Sequence, residues 1–375
     1  MRFLHLQSSF HAGGKELRTA QLINSFGAGI AHTIVSAQPD ALGAASAIAP
    51  GMVVDYPADF PSLSGSPRPA RLRRLAQAMA GYDLLLTYNW GAMDAVLAHA
   101  LFSQVMRLPP LVHHEDGFNE DEAAGLKTSR NWYRRLALAR ASALVVPSLR
   151  LEEIAIKVWQ QPRGRVRRIA NGIATSAFAQ KPRADALPRL IKRPGELWLG
   201  TLAGLRPVKN LPALVRAFAA LPEPWQLVIL GEGPERATIS AEAMRLGLAH
   251  RVHLPGFVAD PAKAVGLFDL FALSSHSEQF PISVVEAMAA GLAVAAPAVG
   301  DVAAMVSAAN RALIGPPGDE AALGASIMRL AGDAALRQQI GEANRVLALA
   351  EYDSQRMIRA YRSVYGSAMK RDLPG

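Results

Sequence analysis

The stretch Ser274-Ser-His-Ser-Glu278-Gln-Phe-Pro281-Ile-Ser-Val-Val-Glu286-Ala-Met-Ala-Ala-Gly291 decides how this chain is read. The run before it, Leu267-Phe-Asp-Leu-Phe-Ala-Leu273, has the length and apolar content of a short buried strand. Pro281 suits the first turn of a helix, Val284 to Ala290 continue it, and Gly291 stops it. Glu278 is therefore expected on the loop after a strand, and Glu286 about two turns into the helix. Two carboxylates then flank a helix N-terminus, whose first amides lack partners and favour an anion. Spacing alone fits a helix-start acid plus a solvated glutamate equally well.

Working outward, the same strand–loop–helix rhythm fills the chain. Strands are expected at Arg2–Gln7, His32–Ala37, Asp83–Thr87, Leu111–His113, Ala143–Val146 and Val166–Ile169, with helices between them. Asn171-Gly172 is a turn signal. Residues 179–195 are rich in proline and charge and suggest a linker. The rhythm then restarts with strands at Leu197–Leu202, Gln226–Leu230, Val252–Leu254 and Ala293–Ala296. The last helix, Ser354 to Met369, is amphipathic, with Met357, Tyr361, Val364 and Tyr365 at helical spacing. This alternation predicts an α/β protein with two doubly wound parallel sheets, at 1–178 and 196–350, and a terminal segment at 351–375. Ligand loops then follow strand C-termini, and the site is expected in the cleft between the two domains.

The totals agree. A chain of 375 residues, half of them apolar, can bury two cores. No apolar run reaches the ~18 residues of a spanning helix. Met1 to Ser9 reads as a first strand, its apolar stretch being too short for a signal peptide, so a cytoplasmic protein is expected. There is no cysteine, which excludes disulfides and thiolate metal sites. The net charge of +9 suits phosphorylated substrates or an anionic membrane. Basic residues cluster at Arg68–Arg74, Arg130–Arg140 and Arg163–Arg168, the first two on helices with apolar interleaving. These fit solvated helix faces or a peripheral membrane face. No nucleic-acid module is present in the pattern, so no nucleic-acid partner is expected.

Gly13-Gly14 follows the first strand and opens a helix, where backbone amides can approach an anion; a plain tight turn fits as well. Gly231-Glu-Gly233 also follows a strand but lacks the third glycine of a dinucleotide fingerprint. Lys209 lies in the loop Ala203-Gly204-Leu205-Arg206-Pro207-Val208-Lys209-Asn210. A lysine there can neutralise a diphosphate, whereas a helix start otherwise disfavours it. His113 and His114 are adjacent on a strand end and point apart, and no third histidine supports a metal site.

Around Glu278 and Glu286, the flanking Ser, Phe-Pro and Glu-Ala-Met-Ala-Ala-Gly resemble the E-x7-E motif of the retaining glycosyltransferases of family four. The strongest likeness runs from about Leu197 to Leu313, with looser likeness at Gly13-Gly14, Asn171-Gly172-Ile173 and the last helix. The resemblance implies two Rossmann-like domains facing a central cleft (the GT-B arrangement), with the last helix crossing back to the N-terminal domain. It implies a retaining transferase acting from a UDP- or GDP-sugar on a glycan or lipid-linked acceptor hydroxyl, in polysaccharide or glycolipid synthesis. It further implies that Glu286 accepts ribose hydroxyls, Glu278 contacts the donor sugar, and the amides around Ile282 and Ser283 meet the diphosphate or sugar. Gly256 and Phe257 would border the base, and Gly13 and Gly14 would join the donor site. The family's Gly-Arg-Leu-x-Pro-x-Lys-Asn loop is matched at Lys209 and Asn210, but its arginine position is Gly204, with Arg206 as a substitute two residues on. Where the family often places a histidine before glycine, this chain has Asp116, with His113, His114 and Glu115 crowding the same loop; Asp116 and His114 are the catalytic candidates there. The family's Asn-Gly-Ile-Asp turn ends here in Ala174. No cofactor or metal is expected. An epimerase or phosphorylase-like enzyme on the same architecture, or a non-catalytic sugar-binding protein, would share these features.

Overall fold

A computed structural model of the protein describes residues 1–118, 122 and 125–374. The chain divides into two compact units, one of Met1–Ala170 with Met357–Gly375, the other of Asn171–Arg356. Residues 179–195 lie inside the second unit rather than joining two units. Lys192 ties them in, its Nζ reaching Leu267 O at 2.7 Å and Asp269 Oδ2 at 2.5 Å.

The first unit contains β1 (Arg2–Gln7), α1 (Gly14–Phe26), β2 (Ala31–Ser36), β3 (Val53–Asp55), α2 (Pro69–Met79), β4 (Leu84–Tyr88), α3 (Met93–Met106), β5 (Leu111–His114), α4 (Thr128–Ala137), β6 (Ala143–Val146), α5 (Leu149–Lys157) and β7 (Val166–Arg168). Its sheet is parallel, in the order β3-β2-β1-β4-β5-β6-β7. The central strands β4, β5 and β6 are buried at every residue, as parallel strands covered on both faces must be, which explains their unbroken apolar runs. Ser148 caps α5, its Oγ accepting from Leu151 N at 3.1 Å.

The second unit contains β8 (Leu197–Leu202), α6 (Leu211–Phe218), β9 (Trp225–Leu230), α7 (Arg236–Arg245), β10 (Val252–Gly256), β11 (Leu270–Ala272), α8 (Ile282–Ala289), β12 (Val294–Pro297), α9 (Val302–Met305), β13 (Ile314–Gly315), α10 (Glu320–Gly332) and α11 (Ala334–Glu351). Its sheet is also parallel, in the order β10-β9-β8-β11-β12-β13. The last two helices fill a stretch that the apolar pattern leaves unassigned. Asp319 and Asp333 start them, accepting from Ala322 N at 2.8 Å and Leu336 N at 2.9 Å.

In both sheets the winding direction reverses beside the first strand of the unit: between β1 and β4, and between β8 and β11. That reversal carries the flanking loops apart and leaves a crevice at the strand C-termini.

The terminal helix α12 (Ser354–Met369) delivers Met357, Ile358, Tyr361, Val364 and Tyr365 to the first unit, where they join Phe3, Leu84, Leu86, Val112, Val145 and Ile169 in one core. A polar chain threads this core. His5 Nε2 meets His32 Nδ1 at 2.9 Å, His5 Nδ1 meets Tyr88 Oη at 3.1 Å, and Tyr365 Oη meets His114 Nε2 at 2.9 Å. Burial keeps these imidazoles neutral: it lowers His32 to about 4, and burial together with the nearby Arg18 charge lowers His114 to about 3.

Two of the three basic clusters turn partly inward. Arg71 reaches Asp94 Oδ2 at 2.5 Å and Leu63 O at 2.6 Å. Arg134 is fully buried, with its Nε 3.2 Å from Glu115 Oε2, its Nη1 3.2 Å from Glu122 Oε1, and Trp90, Phe118 and Trp159 ringing its guanidinium. An arginine can be buried when carboxylates and aromatic faces replace its water, so these clusters are not simple solvated faces. On α4, Trp132 and Leu136 remain exposed.

Removing the Arg134 cation leaves Glu115 buried without its arginine and Glu122 with Arg130 as its remaining cation, so Arg134→Met is expected to cost about 3–5 kcal/mol in denaturant unfolding. The histidine chain gives a pH signature. Its folded pKa values lie below the unfolded 6.5, so the folded state binds fewer protons, and the associated stability is present above pH 6.5 and lost as pH falls through 4 to 3. The thermal midpoint should drop across this range, and His32→Gln should flatten part of the drop.

Candidate functional site

In the second unit the candidate residues gather at the C-terminal edge of the sheet. The loop after β8 runs into a 3-10 turn, Pro207–Lys209, and then Asn210 adopts φ 46° to start α6. The loop after β11 carries Ser274, Ser275 and Glu278 to the start of α8. These two loops flank the reversal point and are fastened together. Ser274 Oγ donates to Lys209 O at 2.9 Å, and His276 N donates to Val208 O at 2.8 Å.

The fastening brings two charges into contact. Lys209 Nζ lies 2.5 Å from Glu278 Oε1, which also accepts from Ser275 Oγ at 2.7 Å. Both side chains are mostly covered, at 16% and 12% exposure, so water screens the pair less than it would at a surface. Gly300 fixes the backbone beneath Glu278. It has φ 56°, and a Cβ there would stand 2.5 Å from Glu278 O and 2.6 Å from Gln279 O, so only glycine fits.

Helix α8 follows at once. Pro281 is its cap residue, and no side chain caps it, which leaves the amides of Ile282 and Ser283 open. Because the helix begins at Ile282, Glu286 lies about one turn in, not two. Burial raises its carboxyl to about 7. Glu286 thus stands between its two protonation states near neutral pH.

Arg206 is exposed, and its Nε lies 3.6 Å from where a Cβ on Gly204 would be. The guanidinium therefore folds back over the position that lacks a side chain. Gly256 ends β10 with φ 105°, and the neighbouring Phe257 is 73% exposed, an apolar ring left in solvent at the same sheet edge. Gly231, after β9, pairs with it through Gly231 N to Gly256 O at 2.9 Å.

In the first unit, Gly13 is the cap residue of α1 and Gly14 its first residue. An internal carboxylate faces this turn: Glu16 Oε2 would lie 2.7 Å from a Cβ on Gly13, and Lys15 pairs with Glu16. The loops after β1 and β4 cross so tightly that a Cβ on Gly91 would stand 2.3 Å from Ser8 Cβ. Asn89 braces the next loop, its Oδ1 accepting from Asp116 N at 2.8 Å.

Asp116 is held in a two-pronged pair with Arg18, at 2.6 Å and 2.8 Å. Burial, the largest single influence, would raise its carboxyl, but the charge and hydrogen bonds of Arg18, with Lys15 nearby, together outweigh it and hold the group below the usual carboxylate range. His114 offers no nitrogen to a ligand. It is 1% exposed, Nδ1 donates to Thr87 O at 3.1 Å, and Nε2 accepts from Tyr365 Oη. The His114 expectation is therefore corrected to an interior role, since strand β5 points that side chain into the core beneath Tyr361. His113 is also interior, with Nδ1 2.8 Å from Thr87 Oγ1, and Glu115 faces Arg134.

Sequence reasoning missed Ser275, Asn89 and Arg18. Arg18 carried one signal, an arginine amid the apolar Leu17, Ala20 and Leu22 of α1, but nothing local pointed to its partner 98 residues on. Among the described residues no group of three His, Asp or Glu side chains could hold a metal ion, and no helix is long and apolar enough to cross a membrane.

Comparison with known proteins gives a consistent picture. Residues 186–346 match the model of "Glycosyl transferases group 1", and residues 12–177 that of "Glycosyltransferase Family 4". The chain is 26% identical over 176 residues to the N-acetyl-alpha-D-glucosaminyl L-malate synthase of Bacillus anthracis, covering 46% of each. It is 27% identical over 270 residues to a GDP-mannose-dependent alpha-mannosyltransferase of Mycobacterium tuberculosis, covering 69% of this chain and 68% of that one. The chain spans about half the length of the first curated relatives it matches. Among solved structures, Anabaena Alr3699/HepE in complex with UDP superposes with a TM-score of 0.79 over 98% of this chain and all of that one, at 21% identity. At that identity the likeness shows the fold, which is GT-B.

Because its folded pKa of about 7 exceeds the unfolded 4.5, Glu286 stabilises the protein fully below pH 4.5, and that contribution is lost as pH rises through 7. Glu286→Gln should therefore raise the thermal midpoint at pH 8 and leave it nearly unchanged at pH 4.5.

Proposed function

Because the chain belongs to the family 4 glycosyltransferases, we propose that it moves a sugar from a nucleotide-diphosphate donor, a UDP- or GDP-sugar, to an acceptor hydroxyl with retention of anomeric configuration. The observation that carries this reading is the Lys209–Glu278 contact beside the uncapped start of α8.

In this reading the ion pair is a resting state. Glu278 holds Lys209 extended until a diphosphate competes for the ammonium, which frees the carboxylate for the donor sugar's hydroxyls. The amides of Ile282 and Ser283 and the Arg206 guanidinium share the phosphate charge. Negative charge growing on the departing diphosphate is thus met by donors already in place, with no metal required. Glu286 accepts the ribose hydroxyls in its ionised form, so donor affinity should rise with pH through about 7. Gly256 leaves room for the base, Phe257 offers it an apolar face, and Gly13 and Gly14 complete the donor contacts. Asp116, fixed by Arg18, is the polar group of the first unit assigned to the transferred sugar. The acceptor is a glycan or a lipid-linked glycan, the protein works in the cytoplasm on cell-surface polysaccharide or glycolipid, and exposed Trp132 and Leu136 with the neighbouring arginines suit an anionic membrane.

Lys209→Ala should lower kcat on the order of a hundredfold in protein that still folds, with the thermal midpoint falling only by what unpairing Glu278 costs; wild-type turnover in that variant would remove Lys209 from the mechanism. Glu286→Ala should weaken donor binding about tenfold, read by calorimetry. A panel of nucleotide sugars at one common concentration should identify the donor as the largest stabiliser, a ligand at 100 times its Kd giving about 2.7 kcal/mol and weaker ones less. An inverted product by NMR would overturn retention.

A further inference from the structure

A cavity lies wholly within the first unit, between the edge of its sheet and α12, with a volume of about 550 Å³. Its rim carries Arg167 and Arg168 from the end of β7 and Lys370 from just past α12. Ser142, before β6, and Ser363 and Ser367, on α12, add three hydroxyls. Ile169 and Val364 contribute apolar wall. None of the residues assigned to the donor lines it.

The cations here are not all consumed by the fold. Arg168 pairs with Glu152, its Nε 3.3 Å from Oε2. Arg167 makes a side-chain hydrogen bond only to the carbonyl of Val166, and Lys370 has no acidic partner among the described residues. Two positive charges therefore remain uncompensated. The three serine hydroxyls make no hydrogen bond within the protein among the described residues, although a helical serine such as Ser25 readily bonds the carbonyl of Gln21 one turn back.

Lys370 is held in place. It adopts φ 55°, its N–H donates to Ser367 O at 3.3 Å, and Arg371 N donates to Gly366 O at 3.1 Å. This bonding pattern is that of a Schellman close, and it fixes Lys370 at the cavity mouth. A lysine at a helix C-terminus also answers the dipole there. Arg167 and the three unused hydroxyls have no such internal task.

We propose that this cavity binds a phosphate-bearing ligand, distinct from the donor. A phosphomonoester brings a charge of about −2 and three acceptor oxygens, which matches two uncompensated cations and a set of free hydroxyl donors. The volume exceeds that of the phosphate itself, and the Ile169 and Val364 surface receives the organic group attached to it.

The test uses the full chain carrying Lys209→Ala, which suppresses phosphate binding at the donor loops. Inorganic phosphate and glycerol 3-phosphate are titrated by calorimetry, and vesicles containing phosphatidic acid, the lipid phosphomonoester, are tested by cosedimentation. Each is repeated with Arg167→Gln and Lys370→Asn added, both exposed sites, asparagine tolerating the positive φ. Saturable phosphate or glycerol phosphate binding that weakens at least tenfold in the added variant supports the cavity with a soluble ligand. Cosedimentation lost in that variant, with no soluble binding, supports it with a lipid headgroup. Ser363→Leu, which narrows the cavity and removes one hydroxyl without removing charge, should weaken the same binding. Binding in neither arm, or binding that Arg167→Gln with Lys370→Asn leaves intact, overturns the proposal.

Discussion

A parallel sheet sends the loops that follow its strands to one edge, and a reversal of winding direction forces two adjacent loops apart at that edge. Both units of this chain obey that constraint, and the placement of the candidate groups follows from it. Lys209 and Glu278 come from strands that neighbour each other only in space, 69 residues apart in sequence, and they meet because β8 and β11 flank the reversal. The backbone latch of His276 on Val208, and the bare backbone of Gly300 beneath Glu278, hold the two loops at contact distance. Chemistry at this edge is thus a consequence of topology first and of side-chain identity second.

The two units use that edge differently. In the second, charge is left poised: an ion pair with an open helix start beside it, and a carboxyl near half-protonation at neutral pH. In the first, charge is largely answered from within. Arg18 grips Asp116, Glu16 closes over Gly13, and Arg134 sits between two glutamates. Burial of so many polar groups demands close pairing, which makes the first unit the more sensitive of the two to acid and to loss of a single partner.

The sheets were legible in the sequence because fully covered parallel strands must be apolar throughout, so runs such as Ala143–Val146 and Leu197–Leu202 announce themselves. That Lys209 and Glu278 lie on loops after strands was legible because each follows such a run. Glu286 was placed a turn too deep: whether Pro281 is counted inside or outside the helix, only four or five residues separate the start from Glu286. His114 was illegible because the last residue of a strand can face either the edge or the core, and Tyr365, 251 residues later, settles it. Arg134 shows the same limit. Its aromatic neighbours come from three separate segments, so no local pattern marks an arginine as interior. The helices at Glu320–Glu351 escaped for a different reason: their alanine-rich faces carry weak periodicity, although Asp319 and Asp333 were capping signals in plain view.

The terminal helix carries a consequence for biosynthesis. The first unit takes its last core residues, Met357 through Leu373, from a segment made after the whole of the second unit. While the ribosome is still making the second unit, the nascent first unit therefore presents Phe3, Leu84, Leu86, Val112 and Ile169 without the tyrosines that cover them. Its final closure must wait until residues 357–373 have been made and have left the ribosome, and the cell's folding helpers have a wet apolar face to guard until then.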